Sequence, residues 1–265
     1  MDSHSQTLRE GTWPTVFAER WAGFGGTHGG LVAAGLHQAV TDLLGGTPGS
    51  LSAHFLEAVP PGPAEITVRE LRGGRSASAL AAIDGRATAL VRHVHGPESP
   101  TTIRPGASPP ASPLGPPSES PPPEPETLER FALPSALVAF GAHVDIRPLG
   151  ASRPLAAGTD PAYTAWIRID PRAPGIDHLD ASSRRLILID AMPPGLFAVW
   201  DRPAPVPTLE LSVHFAPCRD DSPWHLVRHR TVWASADLCV DETTLHTRRG
   251  ELAAQGRQLR RILPV

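Results

Sequence analysis

The stretch LSAHF at residues 51–55 recurs as LSVHF at residues 211–215, an offset of 160 positions. The same offset places Gly30 on Asp190. Each copy follows an apolar segment with helical spacing and precedes further strand-like segments, so the order of the predicted elements repeats as well. The sequence therefore indicates a chain built from two related halves.

The first half contains one amphipathic helix followed by strands. Apolar residues at positions 32, 36, 40 and 43 fall on one helical stripe, which Gly29-Gly30 opens and Gly45-Gly46 ends. Turns rich in glycine and proline then separate strand-like segments. These segments cover residues 50–58, 64–71, 76–83 and 87–95.

The second half repeats this order. A helix capped by Ser182 is expected to continue to about Val199. Pro193-Pro194 lies within it and predicts a bend just after Asp190, because proline removes a backbone hydrogen bond. The strand-like segments of this half cover residues 142–148, 163–169, 207–215, 224–234, 237–241 and 251–263.

A proline-rich segment separates the halves. Residues 97–126 contain 12 prolines among 30 residues, with one leucine, one isoleucine and no aromatic residue. Such a segment cannot bury enough apolar surface to offset its ordering entropy. The sequence therefore predicts an N-terminal unit at 1–96, a linker at 97–126 and a C-terminal unit at 127–265.

Composition excludes several classes of protein. The net charge is -3, which argues against general nucleic-acid binding. All 24 basic residues are arginine, and a P-loop is excluded because its motif requires a lysine. No segment has the signature of a signal peptide or the apolar length of a membrane span. Two cysteines are too few for a disulfide scaffold, so we expect a cytoplasmic protein without membrane contact. No CxxC or HExxH motif is present, and neither a metal nor a cofactor is expected.

Asp190 breaks an otherwise apolar helical segment, LILIDAM at residues 186–192. A buried carboxylate must be hydrogen-bonded or functional, because removing its charge from water is costly. The alternative is that Asp190 faces solvent or caps a kinked helix. The residues alone leave both readings open.

Six stretches of the two halves carry a family resemblance through their order and spacing. They are THGGLVAA at 27–34, SAHFL at 52–56, GGRSAS at 73–78, LIDAMPPGLF at 188–197, PTLELSVHF at 207–215 and LAAQGRQL at 252–259. Together they resemble the double-hotdog acyl-CoA thioesterases of type II, over nearly the whole chain outside the linker. The resemblance implies an α+β fold, a double hotdog in which two antiparallel sheets each wrap around a central long helix.

This resemblance implies that water hydrolyses a fatty-acyl thioester to a free acid and a thiol. Enzymes of the family use an aspartate, a hydroxyl residue and a glutamine of the second hotdog to hold and activate that water. Matched position by position, these are Asp190, Thr208 and Gln258. Gln255 is close enough in sequence to compete with Gln258 for the amide role.

A helix N-terminus can donate hydrogen bonds to the negative oxygen that forms in the transition state. We therefore expect Gly29 and Gly30 to lie against the substrate, where glycine permits close approach. His28, at the mouth of the same helix, is expected to contact the substrate. The alternative for the glycines is that they only let the helix pack near its sheet.

The expected partners are an acyl-CoA or acyl-carrier substrate and a second copy of the chain in a homodimer. Two other functions compete with hydrolysis. One is a non-catalytic hotdog protein that binds acyl groups. The other is a hotdog hydratase or dehydratase for enoyl thioesters, which needs an aspartate and a histidine a few residues apart, whereas no histidine follows Asp190 within ten residues.

Overall fold

A computed structural model describes residues 7–96, 122–132, 138–219 and 222–264. The first half contributes one helix and five strands, and the second half one helix and six strands. The elements are β1 (Glu10–Phe17), α1 (Gly29–Leu44), β2 (Thr47–Phe55), β3 (Gly62–Arg72), β4 (Ser76–Ile83), β5 (Ala87–Val94), β6 (Val144–Pro148), β7 (Ala162–Ile169), α2 (Ala181–Asp190), β8 (Thr208–Phe215), β9 (His225–Ala234), β10 (Leu238–Thr247) and β11 (Leu252–Arg261).

The strands form a single antiparallel sheet of eleven strands. Their order is β1-β3-β4-β5-β2-β8-β11-β10-β9-β7-β6. The two predicted sheets are therefore joined into one, because β2 of the first half pairs with β8 of the second half. The strand order on one side of this junction mirrors the order on the other side, apart from the additional strand of the second half.

Equivalent residues of the two halves meet at the junction. Ser52 pairs with Ser212, which is 160 positions further along the chain. The two helices also pack against each other, and Gly30 of α1 contacts Asp190 of α2, again 160 positions apart. The halves are thus related by an approximate two-fold axis that passes between these pairs.

Helix α1 has the bounds that the sequence predicts. Its apolar stripe faces the sheet, and Leu36 and Val40 are fully buried. The helix ends where Gly45 donates its backbone N–H to the carbonyl of Thr41 and takes a φ of 64°, a conformation that favours glycine. The helix and the four strands after it, which hydrophobic periodicity and turn residues predicted, are therefore confirmed.

Helix α2 differs from its prediction at both ends. Its N-cap is Asp180, whose carboxylate accepts a hydrogen bond from the Ser183 amide, and not Ser182. The helix ends at Asp190 and does not continue to Val199. Met192 precedes a proline, which disfavours the helical conformation, and Pro193 offers no backbone donor. The apolar residues after Asp190 are buried in an irregular segment and a short 3-10 helix, Gly195–Ala198.

Strand β1 was absent from the sequence-based prediction. It pairs only with β3 and forms one edge of the sheet. Pro14 lies within it, and proline is tolerated in a strand at an edge because its missing donor costs no ladder hydrogen bond there. Residues Glu10–Phe17 therefore form an edge strand despite this proline.

Of the predicted linker, residues 97–121 lie outside the described residues. Residues 122–126 contact the second half. Trp166 of β7 donates its indole N–H to the Pro123 carbonyl at 2.9 Å, and Arg147 of β6 donates to the Pro125 carbonyl at 2.9 Å. In the described part of the chain, no helix has both the length and the apolarity needed to cross a bilayer.

Candidate active site

Asp190 is the last residue of α2, and its carboxylate is buried beside the N-terminus of α1. The prolines that end the helix leave the carboxylate at the C-terminal end of α2, which on its own disfavours a negative charge. Donors from other elements must therefore hold it. The reading in which this side chain faces solvent is wrong, since Asp190 is only 7% exposed.

Two side chains of the second half donate to Oδ1 of Asp190. Thr208 begins β8, and its hydroxyl lies 2.8 Å from Oδ1. Gln258 of β11 donates its Nε2 to the same oxygen at 2.7 Å, and it also lies 3.2 Å from the Thr208 hydroxyl. The structure thus brings together the three residues that the resemblance indicated, through the pairing of β8 with β11.

Gln255, the competing amide, does not reach this site. Successive side chains of a strand point to opposite faces of the sheet. Gln258 is fully buried on the helix-facing side of β11, whereas Gln255 is exposed on the other face. Register alone therefore separates the two glutamines, which sequence spacing left as alternatives.

The first half supplies the contacts to Oδ2 of Asp190. The amide of Gly30 donates to this oxygen at 2.6 Å, and Nε2 of His28 lies 3.2 Å from it. A Cβ atom on Gly29 would lie 3.0 Å from the same oxygen. The positive end of the α1 dipole therefore faces the carboxylate and stabilises its charge. One side of the site comes from each half.

His28 is buried between the two helices and an aromatic wall. Its ring stacks on Phe140 with a centroid separation of 4.1 Å. Burial lowers the pKa of His28, while the nearby Asp190 charge acts in the opposite direction. Neither ring nitrogen has a hydrogen-bond partner among the residues that the structure describes. The predicted proximity to the site is thus observed, and the imidazole is kept neutral.

A cavity of about 330 Å³ opens over these residues. Asp190, Thr208, His28 and Gly29 line its polar end. Most of the remaining lining is apolar, although Thr27, Glu57 and Arg260 also belong to it. The apolar side chains include Val32, Phe55, Val59, Phe140, Phe197 and Val206. A polar end next to an apolar chamber suits a ligand with one reactive polar group and a hydrocarbon chain. Gln258 lies behind Asp190 and is not part of the lining.

Two further groups lie near the site, and the sequence assigned neither of them to the catalytic machinery. Arg260 of β11 is buried beside Gln258, and its guanidinium donates to the Gln258 side-chain oxygen at 2.9 Å. Phe140, which covers His28, lies outside any predicted strand or helix. The alternation of buried positions in β11 could have drawn attention to Arg260, because residues 258 and 260 share one face.

Over the described ranges, no group of three or more His, Cys, Asp or Glu side chains is arranged to hold a metal ion. The site is therefore described by its carboxylate, hydroxyl, amide and imidazole groups. Together they can orient a water molecule, accept its proton and present backbone donors to a carbonyl oxygen.

Family models of acyl-CoA thioesterases match both halves of the chain. The model of the acyl-CoA thioesterase N-terminal domain matches residues 17–83, and that of the C-terminal domain matches residues 116–262. A search of curated proteins gives no significant match.

Solved structures with similar folds span nearly the whole chain. A provisionally assigned thioesterase II of Thermobifida fusca has a TM-score of 0.76 at 21% identity, covering 96% of this chain and 92% of its own. A hot dog protein of unknown function from Alicyclobacillus acidocaldarius has a TM-score of 0.73 at 22% identity, covering 98% and 97%. The acyl-CoA thioesterase II TesB2 of Mycobacterium marinum has a TM-score of 0.60 at 17% identity, covering 96% and 93%. These likenesses identify a hotdog fold.

Proposed function

Because the chain belongs to the acyl-CoA thioesterase family, whose reaction is the hydrolysis of acyl-CoA, we propose that Asp190, Thr208 and Gln258 hold and activate the attacking water. The observation that carries this proposal is the convergence of Thr208 and Gln258 on one oxygen of a buried carboxylate at the end of an apolar cavity.

Asp190 is the proposed general base. Thr208 donates its proton to Asp190 and accepts a hydrogen bond from Gln258, which leaves one lone pair of its oxygen to accept from water in the cavity. Gln258 acts from behind by fixing the carboxylate and the hydroxyl. A water held between Asp190 and Thr208 would face the cavity, where the thioester carbonyl can approach.

In the proposed reaction, the water, the thioester and Asp190 account for every proton and electron pair that moves. The water oxygen attacks the thioester carbon while Asp190 accepts a water proton, and the carbonyl electron pair moves to the carbonyl oxygen. When the carbonyl re-forms, the carbon–sulfur bond breaks and sulfur leaves with the bonding pair. The proton on Asp190 passes to that sulfur, which gives a free thiol and a carboxylic acid.

The N-terminus of α1 is the proposed binding site for the carbonyl oxygen. Gly30 already donates its amide to Asp190, so this proposal assigns the carbonyl contact to the Gly29 amide and a positioning role to Gly30. His28 and Phe140 would then contact the thioester from the side, and the apolar chamber would hold the acyl chain.

Asp190→Asn tests the proposal. This change keeps the shape of the side chain but removes its ability to accept a proton, so kcat for a medium-chain acyl-CoA should fall by about 100- to 10,000-fold. Release of free thiol is measured with a disulfide reagent. Asp180→Asn is the matched control, because asparagine caps a helix as well as aspartate does. Equal cleavage by wild type and Asp190→Asn would refute the assignment of the base.

A second candidate activity is hydration of an enoyl thioester, and one contact favours it. No histidine follows Asp190 closely in sequence, but His28 of the other half lies 3.2 Å from its carboxylate. Loss of enoyl absorbance without thiol release, abolished by His28→Asn, would support hydration over hydrolysis. Binding of acyl-CoA with neither reaction would support the non-catalytic acyl-binding alternative.

We also propose that the chain is a double hotdog with domains at 1–96 and 127–265 and a proline-rich linker at 97–126. One helix per half and the mirrored strand order around the β2–β8 junction support this division. The contacts of residues 122–126 with β6 and β7 would hold the end of the linker against the C-terminal half.

The remaining proposals concern context. A cytoplasmic location suits a coenzyme A substrate and a chain with only two cysteines, Cys218 and Cys239. A homodimer is proposed because the sheet exposes apolar side chains, among them Leu90 at 44% and Val94 at 49%. An acyl-carrier thioester would undergo the same chemistry, and the two carriers can be compared in one thiol-release assay.

A further inference from the structure

We propose that Arg260 is a positioning residue that fixes the side-chain amide of Gln258 in the orientation that the reaction needs. This inference rests on the proposed roles of Asp190 and Gln258. Arg260 lies two residues after Gln258 on β11, on the same face of the strand, and only 4% of it is exposed.

The two ends of the Gln258 amide meet different partners. Its nitrogen faces Asp190 and Thr208, whereas its oxygen accepts a hydrogen bond from Nη2 of Arg260 at 2.9 Å. A guanidinium can only donate hydrogen bonds, so it selects the oxygen end of the amide. Without that donor, the amide could turn over and place its oxygen against the Asp190 carboxylate.

The same guanidinium also holds the segment that follows the proposed base. Nη2 of Arg260 donates to the Met192 carbonyl at 3.1 Å, two residues after Asp190. One side chain thus contacts both β11 and the end of α2. The separation between Asp190 and Gln258 therefore depends on Arg260.

A second buried carboxylate fixes Arg260 in turn. Nε of Arg260 lies 2.9 Å from Oδ2 of Asp241 on β10, and both side chains are almost inaccessible to solvent. Thr231 of β9 donates its hydroxyl to the other Asp241 oxygen at 2.6 Å. Burial raises the pKa of Asp241, but His229, Arg260 and Thr231 outweigh this effect and leave that pKa below its usual value. The carboxylate is thus available to anchor the guanidinium.

The test variant is Arg260→Met combined with Asp241→Asn, which removes the donor and leaves no buried charge unpaired. Since misplacing a catalytic group by about 1 Å costs on the order of 100-fold, kcat should fall by about 100-fold. KM should change by less than about threefold because, although Arg260 lies in the cavity wall, only 4% of it is exposed and its hydrogen bonds go to Gln258 and Met192.

A double-mutant cycle with Gln258→Ala decides whether Arg260 acts through Gln258. If it does, adding the Arg260/Asp241 pair to Gln258→Ala should cause no further loss of kcat. A structural role independent of Gln258 would multiply the two losses, to about 10,000-fold in total, and that result would overturn the proposal. Wild-type kcat in the Arg260/Asp241 pair would overturn it as well.

A rescue variant and a control variant accompany the double-mutant cycle. Arg260→Lys retains a cation that only donates, so it should recover most of the lost kcat. The matched control is Arg257→Met with Glu242→Gln, an ion pair at 2.7 Å between the same two strands in which Arg257 is exposed and Glu242 also contacts Arg230. This control should leave kcat within about twofold of wild type. Circular dichroism and thermal unfolding check folding, and Arg260→Gln with Asp241→Asn replaces the test pair if that pair does not fold.

The results that would refute the proposed function differ from those that would refute this inference. If Gln258→Ala retains full kcat while the Arg260/Asp241 pair loses activity, Arg260 acts by some other route and the inference is wrong. If Asp190→Asn retains full kcat, the assignment of the base fails, whatever the cycle shows.

Discussion

Gly30→Ala should disrupt the site through a displacement that can be worked out from the structure. A Cβ atom on residue 30 would lie 2.8 Å from the Asp190 Cβ, from the His28 Cε1 and from the Leu186 carbonyl oxygen. Carbon atoms pack at about 3.5–4.0 Å, so the helices must separate locally by about 0.7–1.2 Å. The 2.6 Å hydrogen bond from the Gly30 amide to Asp190 would then lengthen to about 3.3–3.8 Å, beyond the usual range of about 2.7–3.2 Å.

We expect kcat to fall by about 100-fold, because displacements of about 1 Å have that effect on catalytic groups. Overpacking costs about 1–3 kcal/mol, and alanine in a helix offsets about 0.5–1 kcal/mol of it. The net loss of unfolding free energy should therefore be about 0.5–2 kcal/mol. Thiol release from a medium-chain acyl-CoA measures the first quantity, and urea denaturation measures the second.

Gly35→Ala is the matched control in the same helix. Its Cβ would meet Ile66 at 3.4 Å and Phe17 at 3.6 Å, which are ordinary contacts with side chains. It should retain wild-type kcat and gain up to about 1 kcal/mol of stability. Wild-type kcat in Gly30→Ala, or equal effects of the two changes, would refute the reasoning from close helix packing.

Thr208→Val should lower kcat at least about tenfold while Thr208→Ser retains it, because only the hydroxyl reaches Asp190; equal thiol release by both variants would contradict this. Asp180→Ala should lower the free energy of unfolding by about 1 kcal/mol and Ser182→Ala by less than about 0.5 kcal/mol, because Asp180 is the observed N-cap of α2. Urea denaturation measures both values, and the reverse order would support the cap predicted from sequence. Burial lowers the pKa of His37 from 6.5 to about 4, so the unfolded chain binds more protons between these values. The unfolding free energy should accordingly fall by about 3 kcal/mol as the pH drops from 7 to 4, and less in His37→Asn; a pH-independent free energy would argue against a neutral buried His37.

Much of the fold could be predicted because hydrophobic periodicity in α1 and the strands coincides with burial. Predictions failed where apolar residues are buried without regular structure. Residues 191–199 resemble a helix in composition, yet two prolines force them into an irregular path that is buried all the same. Pro14 had the opposite effect in β1 and concealed an edge strand.

The site was less accessible to sequence reasoning because its contacts cross between the halves. The resemblance indicated Asp190, Thr208 and Gln258, but only register could separate Gln258 from Gln255. His28 was expected at the mouth of α1, but its contact with Asp190 was not, because the two residues are more than half the chain apart in sequence. Alternation along β11 places Arg260 on the same face as Gln258, but its contact with Asp241 depends on the pairing of β10 with β11, which no local pattern specifies.

The meeting of Gly30 with Asp190 near the two-fold axis has a consequence for how such a chain can diverge after duplication. Two aspartates at these positions would repel each other across the axis. A side chain at position 30 would also occupy the space through which Asp190 reaches the backbone amide of that residue. One copy must therefore lose its carboxylate for the other to keep a working one. If Asp190 is the base, as proposed, asymmetry at this single pair of positions gives each polypeptide one reaction centre.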